Sequence, residues 1–154
     1  MERPEIEYPK GSVGLWECPA LKTQSWLYQS PVNNTANNQK IVDRDDCALW
    51  WKYGKGYAVI DHADSEVGEG SWNVNRMRVD DLATRTTPDG KSYYICIAVV
   101  VGTRRKYNYA YEGKTFAPTK KGDVVCISCA NEDGSQVYLA YYRLITTITY
   151  SKLK

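Results

Sequence analysis

The apolar positions of this chain fall in short runs that alternate with polar residues or cluster between Gly, Pro, Asn and Asp, a rhythm of strands and turns. Residues 1–14 are polar and carry Pro4, Pro9, Gly11 and Gly14, so they predict a flexible N-terminal arm, with ordered structure beginning near Leu15. From Gly14 to Gln29, Pro19 interrupts the apolar run, which suits two short strands better than one helix. The Asn-rich segment SPVNNTANNQK is a surface loop. Ile41–Trp51 predicts a turn at Asp45-Asp46 and a strand from Cys47, with a short helical turn as the competing form. Tyr57, Val59 and Ile60 form a buried strand running up to Asp61 and His62. Trp72–Ala83 alternates only approximately and suits a strand or a short helix. After the Pro88-Asp89-Gly90 turn, Tyr93–Val101 is the most hydrophobic β-branched run and predicts a central strand. Residues 102–119, rich in Tyr, predict a mobile loop or hairpin. Gly122–Leu144 reads as a β-hairpin with Cys129 at its mouth, and Tyr141–Tyr150 continues the strand pattern.

About seven or eight short strands with turns between them predict a mainly β fold, a closed or nearly closed β-barrel of about eight strands with at most short helices. At 154 residues the chain supports one well-buried core, and residues 15–154 are expected to form a single domain.

Charge changes the picture by exclusion. With 20 Lys and Arg against 18 Asp and Glu, there is no one-signed field to hold a phosphate backbone, so nucleic acid is not an expected partner. Thirteen Tyr and five Trp suit β-surfaces and grooves. Five cysteines, an odd number at irregular spacing, do not fit a disulfide scaffold and leave at least one thiol free. No apolar stretch approaches the ~20 residues that span a bilayer, and the chain as written reads as soluble.

Candidate chemistry centres on Cys129. Side-chain alternation puts Ile127 and Cys129 on one face of their strand and Cys126 and Ser128 on the other, so the two cysteines look apart. That geometry suits neither a metal knuckle nor a redox pair, and no metal or cofactor is expected. Cys96, inside the central strand, is most simply a buried small hydrophobe. A single strand-end thiol becomes reactive if a base reaches it. The one histidine, His62, also ends a core strand, and the two are expected to meet.

The order of these signals resembles the sortases, cysteine transpeptidases of Gram-positive bacteria with an eight-stranded barrel. QKIVDRDDCALW resembles the segment leading into the family's third strand. GYAVIDHADSEVGEGSWNVNRMRVDDLA resembles the strand ending in the catalytic histidine and the turn after it, with Asp80 where the family usually has glycine. DGKSYYICIAVVV resembles the next core strand, and GDVVCISC the strand ending in Thr-Cys, with Ser128 in the threonine place. The resemblance covers about residues 15–148. It implies that Cys129 attacks the Thr-Gly carbonyl of a sorting-signal peptide to form a thioester, resolved by a peptidoglycan-type amine, with His62 as general acid and base. The family's oxyanion arginine begins the strand after the cysteine loop, where this chain has Gln136-Val137-Tyr138. Arg143, farther along, is the expected substitute, with Arg104 or Arg105 as the alternatives. Asp61, Trp72, Ser128, Arg104 and Arg105 make up the expected substrate-binding set. The resemblance further implies a monomer on the extracellular face of a Gram-positive cell if a signal or anchor has been removed. Two other functions stay open: a sortase-fold protein that binds peptide or cell-wall material without turnover, and a carbohydrate-binding β-module with Trp50, Trp51 and Trp72 as stacking platforms.

Overall fold

The computed structural model describes residues 2–29, 40–42, 46–61, 74–106, 108–131 and 133–150. Among them ten strands form: β1 Ser12–Cys18, β2 Thr23–Gln29, β3 Cys47–Tyr53, β4 Gly56–Ile60, β5 Leu82–Thr86, β6 Gly90–Arg104, β7 Tyr109–Tyr111, β8 Lys114–Thr115, β9 Val124–Cys129 and β10 Gln136–Thr149. They are ordered β10-β9-β4-β3-β2-β1-β5-β6-β7-β8, and β10 also pairs with β6. That extra pairing closes eight strands into a barrel and leaves β7 and β8 as a short extension of β6. The sheet is mixed, because β2 with β3 and β4 with β9 run parallel while the remaining pairs are antiparallel. Closure removes most free sheet edges, which a chain this rich in strand formers would otherwise expose.

Alternation sorts the core into two layers. One cluster draws Trp16, Leu27, Trp50, Val59, Ala83, Tyr94, Cys96, Cys126, Ala140 and Tyr142 from all eight barrel strands and therefore fills the interior. Aromatic rings supply much of that volume: Trp16 meets Tyr142 edge-on at 5.5 Å between ring centres and Tyr94 at 5.1 Å. A second cluster, Ala58, Val125, Ile127, Val137, Leu139 and Tyr141, uses the alternate positions and lies on the outer face beneath Tyr109 and Phe116. Each large side chain buried this way contributes about 1.5–3 kcal/mol relative to exposure.

The expected strands are present with shifted limits. Pro19 does separate two strands, through a single 3₁₀ turn Pro19–Leu21. The first strand starts at Ser12 and not near Leu15, because Gly14, which reads as a breaker, sits at φ +135 inside a bulge of the β1–β2 pair and lets the strand continue. Both forms expected for Ile41–Trp51 occur in sequence: residues 40–42 are helical, Asp46 turns at φ 59, and β3 follows. The ambiguous Trp72–Ala83 segment resolves, in its described part, into a 3₁₀ turn Val74–Arg76 and the start of β5. Between them Asp80 adopts φ 78. The left-handed backbone that the resemblance associates with glycine is thus present, carried by a residue type that tolerates it. The Tyr-rich 102–119 segment holds the β7–β8 hairpin. Tyr53 pins it to the barrel, donating its hydroxyl to the Phe116 carbonyl at 2.7 Å and accepting the Tyr109 N–H at 3.1 Å.

Among the described residues no helix is long and apolar enough to cross a membrane.

Candidate active site

Cys129 ends β9 on the outer face, half-buried, while Val124 to Ser128 before it are buried. The β9–β10 hairpin fixes it opposite Val137. On the other side of β9, β4 runs parallel with Ile60 level with Ile127. Both strands therefore point the same way, and β4 ends at the same end of the barrel as Cys129. Asp61, the next residue, is buried at 7% exposure. His62 and Trp72 lie outside the described residues.

The arginines separate clearly. Arg104, the last residue of β6, directs a guanidinium N–H from Nη2 toward Cys129 Sγ at 3.8 Å. Its neighbour Arg105 donates instead to the Gly113 carbonyl at 3.2 Å, in the β7–β8 turn. Arg143 is far from the thiol. It lies six residues along β10 from Val137, the partner of Cys129, a span of about 20 Å at strand rise. There its Nε is 3.5 Å from Asp123 Oδ2, and its guanidinium stacks over Tyr141 at 5.7 Å. Asp123 is a buried carboxylate that also accepts the Tyr141 hydroxyl at 2.6 Å and the Leu144 N–H at 2.9 Å. This knot anchors β10 and holds Arg143 away from the site. Of the three arginines read from the sequence, the fold brings only Arg104 to the sulfur.

Ser128 also departs from its expected place. It is fully buried toward the barrel interior, and its hydroxyl has no hydrogen-bond partner, so its side chain does not face the surface that carries Cys129. Trp50 is likewise no stacking platform. Only 3% of it is exposed, with Tyr57 stacked on it at 4.5 Å and Arg85 over its ring at 4.4 Å. Trp51 packs partly buried against the outer cluster.

The other thiols sit in different surroundings. Burial pushes Cys18 and Cys96 up to about 11, and Cys126 well above its usual range. Cys129 alone of the five is not buried. Tyr109, directly opposite Arg104 across the β6–β7 pair, is pushed up by burial, with the Arg104 charge opposing. Among the described residues no three His, Cys, Asp or Glu side chains converge to hold a metal ion.

Two features at the thiol escaped the sequence reading. Gly134, at φ 72 in the turn after Cys129, lies beside both groups, where a Cβ would make ordinary contact with the sulfur at 3.6 Å and with Arg104 Nη1 at 3.5 Å. Asn131 ties that turn together through both ends of its amide. The Asp133-Gly134 dipeptide was the available signal for a special backbone position.

A half-buried thiol with a guanidinium at this distance offers two groups that acyl transfer can use. A carbonyl attacked by Cys129 would develop its oxyanion within reach of Arg104.

No protein-family model and no curated protein sequence matches the chain. Solved structures do. Sortase A from Listeria monocytogenes is similar with a TM-score of 0.68 at 16% identity, over 93% of both chains. Sortase E1 from Streptomyces coelicolor, solved with a tripeptide in its active site, is similar with a TM-score of 0.67 at 13% identity, over 94% of each chain. Sortase C from Streptococcus pneumoniae is similar with a TM-score of 0.66 at 14% identity, over 94% of this chain and 73% of that one. With its eight-stranded mixed barrel closed by β6 against β10 and nearly its whole length matched, this chain has the sortase fold.

Proposed function

We propose that this chain is a sortase-like cysteine transpeptidase. The observation that carries the proposal is the Arg104 guanidinium 3.8 Å from Cys129 Sγ. The strand positions support it: Cys129 follows Ile127 by two residues, as His62 follows its register partner Ile60 in sequence. Cys129 acts as nucleophile. Its sulfur adds to the carbonyl carbon of a Thr-Gly bond in a sorting-signal peptide, and Arg104 stabilises the oxyanion. Collapse breaks the C–N bond, and His62 gives a proton to the departing amine. The resulting thioester is attacked by the amine of a peptidoglycan-type acceptor, His62 takes up its proton, and the thiolate leaves. Asp61 borders this path at the end of β4. Such a substrate and acceptor would be met at the extracellular face of a Gram-positive cell, if a signal or anchor has been removed.

The test incubates the protein with a Leu-Pro-x-Thr-Gly peptide and an amine acceptor, then follows the mass of protein and peptide. The expected result is a thioester on Cys129 and a transpeptidation product, both abolished by Cys129→Ala, with His62→Ala nearly as inactive. A wild-type protein that neither acquires the acyl mass nor cleaves any such peptide would overturn the proposal in favour of a peptide-binding protein without turnover.

A further inference from the structure

Arg104 ends a strand, and a guanidinium on a long side chain needs its backbone held if it is to stay on one sulfur. The turn after Cys129 provides that hold. The N–H of Arg104 donates to the Ser135 carbonyl at 2.8 Å, and the preceding residue, Thr103, is level with Gln136. Ser135 is therefore the residue through which the turn meets Arg104. Asn131 grips that part of the turn from within. Its Nδ2 donates to Ser135 Oγ at 3.0 Å, its Oδ1 accepts the Gln136 N–H at 3.1 Å, and its carbonyl accepts the Gly134 N–H at 3.2 Å. The Ala130 N–H closes the same turn onto the Gln136 carbonyl at 2.8 Å, and Asp133 Oδ1 accepts the Ser135 N–H at 2.8 Å. Gly134, at φ 72 in the same turn, lies beside both the sulfur and the guanidinium.

We propose that Asn131 is a positioning residue: by closing the turn on Ser135 and Gln136, it holds Arg104 against the sulfur of Cys129. Its effect on turnover rests on the transpeptidase reading, whereas the arginine–sulfur contact does not. Neither Asn131 nor Ser135 needs to touch substrate. An amide is suited to this place because it donates from one atom and accepts at another, satisfying a hydroxyl and a backbone N–H five residues on.

The experiment measures alkylation of Cys129 by iodoacetate and by iodoacetamide at one pH, with mass mapping to the residue. Both reagents react with the same thiolate, so the ratio of their rates cancels the thiolate fraction and reports positive charge beside the sulfur. A guanidinium about 4 Å away should favour the anionic reagent about five-fold, so Arg104→Ala should lower the ratio by about that factor. Asn131→Ala should lower it at least about two-fold, half of the arginine effect on a logarithmic scale. Ser135→Ala, which keeps the carbonyl but loses the acceptor for Asn131 Nδ2, should move it the same way and serves as the second variant should Asn131→Ala fold poorly. The double variant Arg104→Ala with Asn131→Ala should match Arg104→Ala alone, because Asn131 acts through the arginine. A wild-type ratio in both Asn131→Ala and Ser135→Ala, even with lowered stability, would overturn the proposal, as would a further fall in the double variant. Absence of turnover by the wild type sinks the transpeptidase reading, and the ratio still decides the role of Asn131.

Discussion

The arginine assignment gives the sharpest test, because the two candidates are separated by the length of a strand. Arg104→Ala removes a donor 3.8 Å from the Cys129 sulfur. Loss of one oxyanion donor costs on the order of 10²–10³ in kcat, and a loss in that range is expected. Arg104 is exposed, so its replacement should change stability by no more than about 0.5 kcal/mol. Arg143→Ala should behave in the opposite way. Six residues of strand put Arg143 about 20 Å from Cys129, twice the Debye length of about 10 Å at 0.1 M salt, so its charge is screened from the thiol. Turnover should stay within about two-fold of wild type, while the knot at Asp123 loosens and the urea midpoint falls. Arg104→Lys should lie between Arg104→Ala and wild type, since an ammonium keeps the charge without the planar fork. The assay is steady-state cleavage of a fluorogenic sorting-type peptide, paired with urea unfolding of each variant. The reasoning fails if Arg143→Ala slows turnover more than Arg104→Ala, or if Arg104→Ala retains activity within about three-fold of wild type.

Other consequences follow from the packing. Tyr141→Phe removes the hydroxyl that donates to buried Asp123 at 2.6 Å, and urea unfolding should register a loss of about 1.5–3 kcal/mol, the range for hydrogen bonds to charged groups; a loss under about 0.5 kcal/mol would contradict the knot. Gly56→Ala would drive a Cβ into the Asp123 carbonyl at the β4–β9 crossing, where the neighbour is backbone and cannot yield, so a loss of about 3 kcal/mol or more is expected, and a variant as stable as wild type would contradict the register. Cys129 should be alkylated first among the five cysteines in the native protein, with Cys96 and Cys126 among the slowest; mass mapping that finds either of them first would count against the site. Alkali should destabilise the fold. Cys18 and Cys96 are pushed from 9.0 up to about 11, so the folded chain keeps protons that the unfolded chain releases, and stability present below pH 9 falls as pH rises toward 11, by up to about 1.4 kcal/mol per pH unit for each thiol. A urea midpoint that stays flat across that window would refute the buried assignment.

Much of this molecule was legible along the chain because strand chemistry is local. Alternation of apolar and polar residues follows from the two-residue period of the backbone, so the sequence alone placed Cys126 and Cys129 on opposite faces, marked Tyr93–Val101 as a central strand and put Cys129 at the mouth of a hairpin. Its turns were readable for the same reason, since Gly, Pro and Asp act on their own backbone dihedrals. What the sequence could not determine is which strands become neighbours and how far each extends. Gly14 looked like a terminator and is a bulge, because only the pairing of β1 with β2 distinguishes the two. Arg143 was chosen by distance along the chain from Cys129, whereas Arg104, twenty-five residues earlier, reaches the sulfur because β6 closes the barrel against β10 and ends level with the turn after the thiol. Ser128 and Trp50 were read as binding residues; alternation already set Ser128 on the face opposite Cys129, and closure made the faces that carry both the barrel interior. Closure is a long-range event whose energy comes from burying side chains of all eight strands together, and no local run of residues records it.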